Sequence, residues 1–200
     1  TAGRAGQVMF FASLAVLTFQ FFRDSQIKAT IISAIIIFVI AFGGYNYSPL
    51  FKNRIQQISY DLALFTTNPN TSVGHRIVFA TNTIEVIKTA PFIGVGTGDF
   101  PVEYTKINLI NSPAVKSTVQ PHNMYLYVLA QLGLLGFVSF LWIFYVQFQL
   151  AMVSKNQFIH HVGMALPFLF MIIMLSDTYL LGHFTSNLFI LFSSFIFSNK

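Results

Sequence analysis

The chain has 200 residues, 54% of them hydrophobic and only 8% charged, with 24 phenylalanines, no cysteine and a formal charge of +5. Such a profile lies far from that of a soluble globular protein and places the chain in a bilayer. The lack of cysteine excludes disulfides, thiolate catalysis and thiolate metal sites, and a surplus of positive charge that membrane topology accounts for makes nucleic acid an unexpected partner.

A membrane span needs roughly 20 predominantly apolar residues, fewer if flanking side chains snorkel. Five segments qualify, at residues 5–22, 29–45, 122–146, 162–178 and 182–197. The expected fold is therefore all-α, a polytopic helical membrane protein of about five transmembrane helices. The first segment opens with Arg4 and leads into Arg23, Asp24 and Lys28 without a small-residue cleavage site, and Thr1 is not an initiator methionine. The chain thus reads as the C-terminal part of one longer membrane domain.

Short loops orient the spans through their Lys and Arg. Arg23 and Lys28 mark one connection, Lys155 with His160 and His161 another, and Lys200 ends the chain, so these segments alternate and all face the cytoplasm. Residues 46–120 then form a long extracytoplasmic loop. Its six Lys and Arg do not object, because long loops translocate largely regardless of charge. The last two spans share one uncharged stretch broken only by Asp177, which reads as a tight hairpin turning between Asp177 and His183.

Within the loop, Ile55, Ile58, Leu62 and Phe65, and again Ile77, Ala80, Ile84 and Ile87, fall at helical spacing with one apolar stripe each. Two amphipathic helices are expected, lying in the interface or capping a cavity between spans. Ser72 is a candidate N-cap of the second, which must stop before Pro91. Thr81, Asn82, Glu85, Lys88 and Thr89 lie opposite its stripe, and Arg76 flanks it. Gly94, Gly96 and Gly98 follow in PFIGVGTGDF. They permit tight turns and close backbone approaches, but a nucleotide-binding loop needs a strand feeding a helix, and none precedes them. Arg54 and Arg76 could be interfacial charges. Asp99 and Glu103 could hold a hard cation, though no third ligand has suitable spacing; His160 and His161 read as interfacial. Asp177, ionisable within an apolar run, is either functional or solvated in its turn.

His122 has the strongest local case. Pro121 suits a first helical position and Gln120 a cap, which would put His122 in the first turn, where the positive end of the helix dipole disfavours the imidazolium. A neutral ring there can act as a general base. Gly133 returns to within about 20° of the same helix face and Gly136 to within about 40°. The pair would form a helix-packing surface, a groove for an isoprenoid tail beneath the histidine, or both together.

Three blocks carry a resemblance. His122 and Asn123, followed by the GLLG run from Gly133 to Gly136, resemble the histidine motif of the O-antigen ligase family, which also includes O-antigen polymerases and protein O-oligosaccharyltransferases. GHRIVFATNTIEVIKTAPFIGVGTGDF, over residues 74–100, is similar to that family's external-loop segment, in which an arginine begins a helix leading into a glycine-rich stretch. TAGRAG looks like the family's T-x-S-R-G element, with Gly3 in place of the serine and Ala5 in place of the glycine.

The resemblance implies a glycosyltransferase of the bacterial inner membrane, with its active site on the periplasmic side and no cofactor or metal. It would move a glycan from an undecaprenyl-pyrophosphate carrier to an acceptor hydroxyl on a saccharide or lipid A core. By similarity His122 is the catalytic base, Arg76 a pyrophosphate ligand and Arg4 a second one, while Asn123, Tyr125, Gly133, Gly136, Gly96 and Gly98 are candidate supporting residues. Ligase, polymerase and protein glycosyltransferase remain alternatives. A lipid-linked sugar transporter is the reading from another class; it expects ionisable groups or broken helices near the bilayer midplane.

Overall fold

A computed structural model describes residues 4–198, and of Arg4 and Ala5 the backbone only. The described residues are all-helical and separate into two compact units, Thr1–Leu64 and Phe65–Lys200. The boundary falls inside the long loop expected at residues 46–120.

The first unit holds α1 (Arg4–Phe21), α2 (Gln26–Tyr47) and α3 (Pro49–Leu64). Helices α1 and α2 pack as a hairpin, and Ser25 caps α2 by accepting from the Lys28 N–H. Helix α2 is apolar all round. Only Ala29 and Ser33 on it are buried, and Ile31, Ile35, Phe38 and Phe42 stay exposed. A water-exposed helix of that composition would be unstable, whereas lipid is its natural solvent.

The second unit contains α4 (Ser72–Thr89), α5 (Phe100–Asn111), α6 (Met124–Val153), α7 (Gln157–Ile173) and α8 (His183–Phe197), with a short 3₁₀ turn at Tyr179–Leu181 before α8. Helix α6 packs on α4, α7 and α8. Two of the eight α-helices among the described residues, α2 and α6, are long and apolar enough to cross a membrane, and only 11% and 22% of their apolar windows are buried, which separates them from the core helices of a soluble protein. Helices α7 and α8 and residues Gly6–Phe21 are apolar but shorter. Gln147 of α6 donates to Ser193 of α8 at 3.1 Å, a polar cross-link of the kind that joins membrane helices.

Helices α3 and α4 occupy the two stretches where amphipathic helices were expected, with corrections. The cap of α4 is Thr71, whose hydroxyl accepts from the Gly74 N–H, one residue before the expected Ser72. The face of α4 that packs is Val78, Phe79, Asn82, Thr83 and Val86, while Ile84 is exposed. Asn82 is buried because α5 supplies partners: its amide donates to Asn108 Oδ1 at 3.1 Å, and Asn108 in turn donates to the Val115 carbonyl at 2.8 Å. A buried amide costs little once both ends are satisfied. Phe100 and Tyr104 of α5, with Val78, Phe79, Val86 and Ala130, complete that core.

Candidate functional site

Helix α6 is two helices joined at a break. Gly133 has φ 61° and ψ −165°, which ends the regular hydrogen-bond ladder and frees backbone groups on both sides. The glycine-rich segment fills the gap. Val95 N–H donates to the Ala130 carbonyl and Gly96 N–H to the Gln131 carbonyl, while Leu134 and Leu135 N–H groups donate to the Pro91 and Phe92 carbonyls, all at 2.9–3.2 Å. Gln131 Oε1 also accepts from the Gly98 N–H at 3.0 Å. Irregular backbone at membrane depth is tolerated where protein satisfies it, as here.

The glycines are required by contact. A Cβ on Gly94, whose φ is 73°, would stand 2.2 Å from the Gln131 carbonyl carbon, and one on Gly133 would stand 2.3 Å from the Phe92 carbonyl carbon. The groove expected beneath the histidine at Gly133 is therefore not there, since the backbone of Phe92 and Ile93 lies in its place. Gly136 faces its own helix, with Leu132 brought close by the break.

His122 does not begin α6. Asn123 is the N-cap, its side chain accepting from the Leu126 N–H at 3.0 Å, and Met124 is the first helical residue. An amide cap outcompetes the expected Gln120 because its shorter side chain reaches the first-turn N–H groups. His122 stands just outside the helix with φ 51°, the one non-glycine residue at positive φ among those described. The backbone around it is over-determined. Pro121 is fully buried, Met124 N–H donates to the Met174 carbonyl at 2.9 Å, Asn123 Nδ2 donates to the Leu175 carbonyl at 3.1 Å, and the Tyr125 hydroxyl donates to the Met171 carbonyl at 2.7 Å. Asn123 and Tyr125 thus fasten the start of α6 to the end of α7.

This clamp sets the histidine against the α7–α8 connection. His122 Nδ1 lies 3.0 Å from Asp177 Oδ1, and both side chains are about one-third exposed, at 34% and 35%. The Asp177 carboxylate is itself held, accepting from the Thr178 N–H at 2.8 Å. Thr178 also donates its hydroxyl to Gln120 Oε1. One face of the imidazole stacks on Phe79 of α4, with centroids 5.9 Å apart and planes at 20°. His75 stacks on the same phenyl ring at 5.7 Å and bonds Asn70 through Nε2 at 3.2 Å. Sequence reasoning left His75 and Phe79 without a role. The HR dipeptide and the four-residue spacing to Phe79 were the available signals.

Arg76 lies on α4 three residues, about one helical turn, before Phe79, whose ring stacks on His122. Its guanidinium is exposed, with no protein partner among the described residues. Arg4 opens α1 in the other unit, and its side chain, with Thr1 to Gly3, lies outside the described residues. Glu103 pairs with Lys106 at 2.6 Å instead of converging on Asp99. A cleft of about 430 Å³ opens beside the His122–Asp177 pair, lined by Gln120, Asp177, Thr178, Tyr179, Phe184 and Thr185 among others.

No curated protein matches the chain. Residues 1–141, which include Arg4, Arg76, His122 and the Gly133 break, match the family described as O-antigen ligase. The chain therefore belongs to the O-antigen ligase family, membrane glycosyltransferases of the ligase and polymerase kind that act on lipid-linked glycans and saccharide acceptors.

Proposed function

We propose that this protein transfers a glycan from an undecaprenyl-pyrophosphate carrier to an acceptor hydroxyl in one inverting displacement at the periplasmic face of the bacterial inner membrane. The observation that carries the reading is the His122–Asp177 pair at 3.0 Å. With Nδ1 donating to the carboxylate, the ring is held in the tautomer whose Nε2 bears the lone pair. Nε2 takes the proton of the acceptor hydroxyl as its oxygen bonds to the anomeric carbon. The bond from that carbon to the diphosphate oxygen breaks, and the electron pair leaves with the diphosphate.

Arg76 meets the negative charge that grows on the leaving group. A guanidinium offers a permanently charged, planar fork to phosphate oxygens, and the N-terminal half of α4 adds a dipole of the same sign. Arg4 is the second candidate ligand of the diphosphate. Two such cations can supply the stabilisation that other transferases draw from a metal.

A broken helix is also what a transporter would use. Here four hydrogen bonds tie the two sides of the break in α6 to residues 91–96, so the protein itself takes up backbone groups that a cargo would use. Transfer by the purified full-length protein in detergent, with no transmembrane compartment, tests the enzyme reading. Turnover of donor and acceptor is expected, unaffected by chelator, and reduced at least about tenfold by Arg76→Lys because a point charge cannot reproduce the fork. Absence of transfer in detergent together with carrier movement across vesicles would instead establish a transporter.

A further inference from the structure

The α4–α5 connection carries bare apolar side chains at the place where it is locked to α6. Pro91 is exposed, and the adjacent Phe92 and Ile93 are 67% and 73% exposed. We infer that residues 91–93 form a re-entrant tip that inserts among the acyl chains of the bilayer leaflet nearer the start of α6, so that the segment between α2 and α6 is anchored in lipid partway along its length.

The depth of the tip follows from α6. This helix has 30 residues, and a crossing takes roughly 20. Any stretch of about that length drawn from residues 124–153 includes Leu134 and Leu135, so both lie at the level of the hydrocarbon whichever stretch crosses. Their N–H groups donate to the Pro91 and Phe92 carbonyls at 2.9 and 3.2 Å. The tip therefore sits at the same level. A Cβ on Gly133 would stand 2.3 Å from the Phe92 carbonyl carbon, so the two backbones are in direct contact there.

The backbone of the tip suits such surroundings. Pro91 has no N–H to satisfy, and α6 takes up its carbonyl and that of Phe92. Gly94 N–H donates to the Ala90 carbonyl at 2.9 Å, and the Val95 and Gly96 N–H groups donate across to the Ala130 and Gln131 carbonyls. Non-helical backbone survives at this level only when protein satisfies it in this way.

What covers the side chains follows from their neighbours. Leu134, Leu135, Val138 and Trp142 are exposed along the apolar part of α6 beyond the break, and lipid is the natural solvent of that flank. Phe92 and Ile93 continue it on the other side of the hydrogen bonds. Residues 89–98 hold no charge, whereas Lys88 and Asp99 bound them on either side and are exposed, which limits the insertion to a tip.

Spin labels on single-cysteine variants of the full-length protein in lipid nanodiscs read the surroundings of each position. Phe92→Cys and Ile93→Cys are expected to match Val138→Cys on the flank of α6, with the label open to oxygen and shielded from a water-soluble nickel chelate. Lys116→Cys, at an exposed loop position, is expected to show the reverse. Exposure to nickel at 92 and 93 would place the tip in water, and shielding from both reagents would place it under protein, such as a second copy of the chain; either overturns the inference. Because a spin label is bulky, Phe92→Trp in a Trp142→Phe background repeats the reading with a ring close to the native one. Its fluorescence is expected to be quenched by dibrominated acyl chains, and emission that those chains leave unchanged overturns the inference.

Discussion

A histidine held at φ 51° carries strain of order 1–3 kcal/mol, and such positions persist only where surrounding contacts enforce them. At His122 the enforcement is visible in the buried Pro121, the Asn123 cap and three hydrogen bonds to the end of α7. What it achieves is the alignment of Nδ1 with Asp177. Asp177→Asn keeps the side-chain shape but lets the amide favour the wrong tautomer, so transfer should fall by roughly 10² to 10⁴ with the fold intact. Rates within threefold of wild type would leave the carboxylate without a part in positioning. Motif blocks in the sequence are what nominate His122 and Arg76. The partnership of His122 with Asp177 is not legible there, because no local periodicity links residues brought together only by the packing of α6 on α7 and the turn that follows. The helix-start reading failed at this residue for a related reason. Pro121 is a sound first-turn residue in isolation, yet burial holds it in the approach to the helix and passes the cap to Asn123.

At the scale of the element, the apolar stretches announce themselves, and α1, α2, α6, α7 and α8 occupy all five. The break in α6 does not. A glycine in an apolar run reads as a packing surface, and only the backbone of residues 91–96 shows why this one must adopt a left-handed conformation. Gly133→Ala and Gly94→Ala should each destabilise the protein by on the order of 3 kcal/mol, from backbone strain and overpacking together. Gly43→Ala, whose Cβ would meet nothing within 4 Å, should be neutral or slightly stabilising. Thermal unfolding in detergent compares the three; equal midpoints would mean that the interlock contributes nothing.

The α4–α5 pair makes a separate prediction about pH. Burial pushes the Tyr104 phenol above its ordinary value of 10.0, against a smaller opposing effect from Asn82. Raised in the fold, this acid stays neutral there while the unfolded chain ionises first. Its contribution to stability is therefore complete below pH 10 and declines as pH rises from there through the folded value. Tyr104→Phe should flatten the alkaline limb of the stability profile. An unchanged limb would exclude Tyr104 as its source. The buried face of α4 escaped the sequence because Asn82 and Thr83 look solvent-seeking until their partners are known: Asn108 for one, and for the other the Phe79 carbonyl, to which Thr83 donates at 2.6 Å.

Over the whole molecule, mean composition already dictates a bilayer, and the exposed flanks of α2 and α6 agree with it. The five-span topology expected from the sequence makes a sharper demand: residues 76 and 122 must face one side and residue 155 the other. The chain has no native cysteine, so single replacements at 76, 122 and 155 can be labelled one at a time in intact cells with an impermeant maleimide. Labelling at 76 and 122 without labelling at 155 is expected; the opposite pattern would invert the protein. The proposed chemistry converges on the imidazole just before α6. The most direct measurement is single-turnover glycan transfer by purified full-length His122→Ala beside wild type, both verified as folded by thermal unfolding. A loss of at least about 10² in rate is expected for removal of a positioned base, whereas transfer at the wild-type rate would contradict the account.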